Sequence, residues 1–341
     1  MTTDAVPCPK HMAYGPCAGV AADGTCEVGP LPCTFLEAPV RRWEGIIGAP
    51  TPPPGPRTPE ALATYDLLES GGVVIADLPA RALDGDSLRA CARALVGSVD
   101  ITLAGDAPDA RVQFPPSLRA AMLKAEGMRV WTGVNARDRN RVAIEAELAA
   151  LAEVGVDGVH CVTGDHTATG HRADAMPVFD LDAPQIAALA RAAGHLTSVA
   201  ASPAVPPVAH RLPLVLEKER AGADVCFVDH CGGPAVVADF VARARAAGSL
   251  MRFIACVPAV FDAGSAELLA SFPGITLPDG YLASIARAAD PRAAGIEASR
   301  AMSAAMLEID GVAGVDLSGG PTAGRELEFA EALAEVGSSL R

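Results

Sequence analysis

The chain has 341 residues, 50% of them hydrophobic and only 4% aromatic, with a mean hydropathy of +0.27. Its 27 basic and 41 acidic side chains give a formal charge of −14, which excludes a basic stripe for nucleic acid but not a small anion met by a few local donors. No apolar run reaches membrane-spanning length, MTTDAVPCPK lacks a signal-peptide core, and nine cysteines suit a reducing, cytoplasmic setting.

Residues 1–38 read as a cysteine-rich module. Cys8, Cys17, Cys26 and Cys33 are separated by Gly and Pro rather than by helix formers, so the segment has little apolar surface to bury. Thiolate coordination of Zn2+ or an iron–sulfur cluster would order it, and disulfides or unpaired structural thiols are the alternatives. Residues 39–71 form a Pro-rich linker (GAPTPPPGPRTPE) and a leading helix from Thr58 to Glu69.

From residue 72 to 341, apolar strand-type runs alternate with helical patterns. The runs are Val73–Asp77, Asp100–Ala104, Arg129–Val134, Gly158–Thr163, Leu196–Ser202, Asp224–Asp229, Arg252–Val257 and Gly314–Leu317. Arg139–Val154 and Ala183–Ala193 are typical intervening helices, and GRELEFAEALAEVG closes the chain. Eight strand–helix alternations predict an α/β fold, a (β/α)8 TIM barrel preceded by the small module; an open doubly wound sheet is the competitor, without its Gly-x-Gly-x-x-Gly turn. In a barrel, function collects at the carboxyl ends of the strands. Asp77, Asp106, Asn135 to Asp138, Thr163 to His166, Ser202 and Asp229-His230 fall there, although Asp, Ser and Thr also cap helices.

The run from ARVQFPP through NARDRNR to HCVTGD resembles the middle of the methylenetetrahydrofolate reductase barrel. AGADVCFVDH, FPGITLPDGYLASIARAADP and LEIDGVAGVDLSG follow in the family's order, and the CPKHM…GPC…CEV module resembles a domain fused to, or encoded beside, such reductases. This resemblance implies a barrel with FAD at its mouth, reduced by NAD(P)H, delivering hydride to 5,10-methylenetetrahydrofolate to give 5-methyltetrahydrofolate. It implies roles for Asp77 as acid, Asp165 and Asp229 at the pterin, and Arg137, Asn140, Thr163, Gly164, His166 and Phe179 around the cofactor. The likeness departs at four points. Asp77 stands where the family has glutamate, Gly105 and Gly133 replace flavin-side polar residues, and Asp229 replaces a glutamine. Those departures raise a second reading, a flavin-independent tetrahydrofolate methyl or methylene transferase or demethylation partner facing a corrinoid protein. A third is a non-catalytic, metal-stabilised subunit of a partner reductase. A homo-oligomer is expected.

The remaining signals read blandly. His160, His166 and His171 carry no supporting metal spacing; Cys226, Cys231 and Cys256 suit packing; Trp43 and Trp131 suit the core. Asp182 reads as a helix cap after Phe179, and Glu217 to Arg220 as a solvated helix end.

Overall fold

The computed structural model describes residues 8–106, 110–272 and 274–341. A two-stranded antiparallel ribbon, β1 (Thr25–Cys26) and β2 (Gly29–Pro32), belongs to the cysteine-rich module. Helix α1 (Pro59–Ser70) starts at Thr58, whose hydroxyl accepts from the Ala61 amide, with proline in the first turn where its missing N–H costs nothing.

Barrel strands and helices then alternate: β3 (Val73–Asp77), α2 (Gly85–Leu95), β4 (Ile101–Ala104), α3 (Pro116–Ala125), β5 (Val130–Asn135), α4 (Arg141–Val154) and β6 (Gly158–Val162). They continue as α5 (Ala183–Ala192), β7 (Thr197–Ala201), α6 (Arg211–Arg220), β8 (Val225–Val228), α7 (Pro234–Ala246) and β9 (Arg252–Ala259). The last elements are α8 (Ala263–Ser271), α9 (Tyr281–Ala286), α10 (Pro291–Leu307), β10 (Val312–Gly319) and α11 (Glu326–Ser339). All eight barrel strands are parallel, and β10 pairs with β3 (Gly314 beside Val73, Leu317 beside Ala76), which closes the sheet and excludes the open alternative. The bounds of all eight strand runs expected from sequence lie within two residues of those observed. No helix among the described residues is long and apolar enough to cross a membrane.

Strand alternation divides the core in two. Val73, Ile75, Ile101, Leu103, Trp131, Val225, Phe227 and Ile254 form one cluster that fills the barrel. Their neighbours in the strands, such as Val74, Val130, Val159, Val199, Val228 and Val257, pack outward with the helices. Gly158 sits where a Cβ would come within 2.5 Å of the Trp131 indole. Gly158→Ala is therefore expected to lower stability by about 1–3 kcal/mol, checked by the denaturation midpoint, because a packed barrel cannot shift a buried indole freely.

At the amino end of the barrel one device recurs. Asp100, Asp157 and Asp224, each just before a strand, accept the backbone N–H of Val74, Val130 and Thr197 at 2.8, 2.7 and 2.9 Å. The linker uses the last of them: Arg57 pairs with Asp224, while Arg191 binds the Gly55 carbonyl at 2.6 Å and the Thr58 amide donates to Gly194. Nearer the other end, the Trp43 amide donates to Glu217 at 2.8 Å and Ile47 to Gln185 at 3.1 Å. The Pro-rich segment is thus a strap along α5 and α6, running from the mouth to the floor.

Candidate functional site

The cysteine-rich module lies across the carboxyl end of the barrel. Asp182 was expected to cap α5, but it makes no cap bond. Its Oδ2 accepts the amides of Ala13 and Tyr14 at 3.0 and 3.1 Å, and its Oδ1 accepts from Gln185 at 3.1 Å. Arg211, at the start of α6, donates to the carbonyls of Pro16 and Cys17 at 3.1 and 3.0 Å, to Val205 at 2.8 Å, and to Pro206. Lys10 and Glu27, both buried, pair at 2.6 Å, and Glu27 also accepts the His166 amide at 2.8 Å. Burial works against the Lys10 ammonium, but Cys17 and Glu27 outweigh it and hold its pKa above the ordinary value. Sequence spacing carries none of these long-range contacts, so the module's role as a lid emerges only from the fold.

Under the lid lies a cavity of about 310 Å³. The strand ends supply Gly105, Asp106, Gly133, Asn135, His160 and the Thr163–Asp165 turn; Pro184 comes from α5, Leu214, Val215 and Lys218 from α6, and Met12 and Cys17 from the lid. Gly164 has φ +89°, and a Cβ there would press Asn135 at 3.1 Å and Arg137 at 3.3 Å, so the turn requires glycine. Asp106 accepts Asn135 Nδ2 at 2.7 Å and pairs with Arg137 at 3.0 Å. Asp165 is largely exposed, with Arg111 3.7 Å away.

Of the residues expected around a cofactor, Arg137, Thr163, Gly164 and Asp165 line this cavity. Asn140 does not: it caps α4, accepting from the Ala143 amide. His166 and Phe179 stack together at 5.6 Å outside the lining. Phe179 is buried at φ +44°, a strained conformation held by its amide donating to Ala136. His171 accepts the Arg111 amide at 3.0 Å.

Asp77 and Asp229 belong to a neighbouring acidic cluster on the barrel strands, with Asp316 and Cys256. Asp316 on β10 is fully buried, and Cys256 Sγ on β9 lies 3.9 Å from its Oδ2. Ser202 donates to Asp229 at 3.3 Å, and the His230 amide donates to it at 2.8 Å. Burial, with the Asp229 charge adding to it, pushes Asp77 up to about 7 against the pull of hydrogen bonds from Ser318 and Gly319. Burial, with Asp77 and Asp229, pushes Asp316 well above the usual carboxylate range. Two of these strands, β3 and β10, therefore carry acids whose pKa is raised towards or above neutral pH, the arrangement expected of a proton donor.

One sequence reading needs correction. Glu217 to Arg220 are not simply a solvated helix end: Glu217 is buried and binds the Trp43 amide, Glu219 accepts the Leu250 amide at 2.7 Å, and Lys218 lines the cavity. A signal existed, because Arg211, Leu214, Val215 and Lys218 follow the i, i+3, i+4, i+7 spacing of one helix face. Among the described residues no three His, Cys, Asp or Glu side chains are grouped closely enough to hold a metal. Cys8, Cys17, Cys26 and Cys33 instead line a separate cavity of about 20 Å³, with Leu31 and Phe35. Burial raises the Cys17 and Cys33 thiols. At the positions where the resemblance implies flavin-side polar residues, Gly105 and Gly133 offer no side-chain donor, and a Cβ at Gly105 would meet nothing within 4 Å.

No protein-family model matches the chain, and no curated protein matches it. Among solved structures, an uncharacterized protein from Clostridium thermocellum that binds two copies of 5-methyl-5,6,7,8-tetrahydrofolic acid is similar in fold. Its TM-score is 0.58 at 11% identity, covering 82% of this chain and 100% of that one. Oxaloacetate acetylhydrolase (TM-score 0.48, 13% identity, 76% and 80% covered) and 2,3-dimethylmalate lyase of the PEP mutase/isocitrate lyase superfamily (0.47, 12%, 77% and 81%) are more distant.

Proposed function

We propose that the chain is a folate-dependent one-carbon enzyme working without a flavin, a tetrahydrofolate methyl or methylene transferase or demethylase with Asp77 as its acid. The observation that carries this reading is the acidic cluster, which raises Asp77 to about 7 and is joined to the cavity under the lid by Ser202, a lining residue that donates to Asp229. Support for folate as the ligand comes from the T-G-D turn and from the fold shared with a protein that binds 5-methyltetrahydrofolate. The cavity's 310 Å³ lies at the small end of ligand pockets, suited to a pterin and part of its extension.

In the demethylation direction, the N5–CH3 bond breaks only if its electron pair is accepted. Asp77 donates its proton to N5, the pair stays on that nitrogen, and the methyl carbon bonds to a nucleophile brought by an acceptor such as a corrinoid protein. Asp229 and Asp165 are the hydrogen-bond acceptors for the pterin's amino group and ring N–H, and Arg137 with Asn135 holds Asp106 away from that role. The reductase reaction with NAD(P)H is the less favoured reading because Gly105 and Gly133 leave the flavin ring without partners.

Calorimetry with 5-methyltetrahydrofolate tests the proposal directly: absence of binding rejects it, and steady NAD(P)H oxidation with methylenetetrahydrofolate by a yellow preparation favours the reductase. Zinc or iron at the module would be held by Cys8, Cys17, Cys26 and Cys33, which line one cavity. Metal analysis of the wild type and of Cys26→Ser is the check, with about one ion per chain lost in the variant if these thiols are ligands.

A further inference from the structure

Four cationic side chains line the cavity under the lid, and three are already committed. Lys10 is paired with Glu27, Arg137 with Asp106 and Asp138, and Arg211 spends its guanidinium on four backbone carbonyls. Lys218 differs. Its Nζ donates once, to the Ala200 carbonyl at 2.6 Å, and no carboxylate pairs with it among the described residues. Asp182 is the acid whose field reaches it, and both of that residue's oxygens are taken by Ala13, Tyr14 and Gln185.

On this side the cavity wall is mostly apolar, Leu214, Val215, Pro184 and Ala200, with neutral His160 as the polar exception, so the ammonium has little to solvate it. An unpaired ammonium among apolar walls gains most from an anion brought by the ligand, through a charge-assisted bond shielded from water. Taking the proposed folate ligand as the premise, we infer that Lys218 receives a carboxylate of the ligand's glutamate tail, with Leu214, Val215 and Pro184 packing the aromatic ring that joins tail to pterin. The α6 face of the cavity is thus a tail subsite, separate from the acids that serve the pterin.

Burial lowers the Lys218 pKa to about 8, with Arg211 adding to the effect and Cys226, Asp182 and Cys17 opposing it. His160, whose own pKa burial and Lys218 push down to about 3, stays neutral beside it. A bound carboxylate favours the charged lysine. Tail affinity should therefore be full below about pH 8 and fall as the free lysine deprotonates above it.

Calorimetry with three probes on the full chain decides the point: 5-methyltetrahydrofolate, p-aminobenzoylglutamate as the tail alone, and 6-methyltetrahydropterin as the head alone. Lys218→Met, close in volume, should weaken the two tail-bearing probes by about 10- to 100-fold and leave the head within about twofold. Lys218→Arg, which keeps the charge, should recover part of the loss, and an unchanged unfolding midpoint confirms that the variants are folded. Equal losses for head and tail, or none, overturn the tail subsite while leaving the folate reading intact. Lysine-dependent binding of the tail fragment without any pterin binding supports the carboxylate subsite and rejects folate. No binding of any probe rejects both.

Discussion

Asp77→Asn is expected to cut kcat for one-carbon transfer by about 10²- to 10⁴-fold while leaving folate affinity within a few-fold. Asparagine keeps the shape and the Ser318 contact but cannot release a proton to N5 and be left as a stable anion. The wild-type rate should depend on the protonated acid: level below about pH 7 and falling about tenfold per unit above it, as Asp77 ionises. The Asp229 charge raises Asp77, so Asp229→Asn should move this fall to lower pH. Because the acids interact, the midpoint belongs to the cluster rather than to one residue. A rate unaffected by Asp77→Asn removes the residue from the mechanism. An unshifted profile in Asp229→Asn would leave burial alone as the cause of the raised pKa.

The second large effect concerns the lid. Arg211→Met leaves the carbonyls of Pro16 and Cys17 in the lid, and of Val205 and Pro206 beside it, without their donor. The cost should be on the order of 3–5 kcal/mol, since each buried acceptor left unpaired costs about 1–3 kcal/mol. Asp182→Ala strips two lid amides of their acceptor and should cost about 2–4 kcal/mol by the same reasoning. Much of this loss should fall on the lid rather than on the barrel. Limited proteolysis and amide exchange should show residues 10–35 released while the barrel strands stay protected, with ligand affinity falling in parallel. Cooperative loss of both regions would mean that lid and barrel fold as one unit.

The barrel was legible in the sequence because parallel strands buried on both faces read as short, continuous apolar runs at regular spacing, and each strand-end acid marks the mouth. The start of the leading helix was legible for a related reason, since Thr58 makes a local bond to the first turn of its own helix. Asp182 shows where this logic stops. Its position is that of a cap, yet its partners are Ala13 and Tyr14, about 170 residues away in the chain. Lys218 was hidden by the charges on either side of it, although its helix face is the buried one. Asp316 was missed altogether: it lies inside the apolar closing strand, where burial and the charges of Asp77 and Asp229 raise its pKa so that the neutral acid is favoured, and no local motif announces this. The four thiols line one small cavity, and their spacing in the chain could not supply the distances between them.

The strap along α5 and α6 changes what release of the lid would mean. A cover held only by Asp182, Arg211 and the Lys10–Glu27 pair could be lost to solvent, as a dissociating subunit is. Here Glu217 and Gln185 fasten the chain just past the lid, and Arg191 and Asp224 fasten it again near the floor. An unseated lid therefore stays within a short tether's reach of the mouth, at an effective concentration on the order of millimolar, and recloses at a rate independent of dilution. Substrate could enter and product leave by swinging this flap, at the cost of its own few contacts and none of the barrel's.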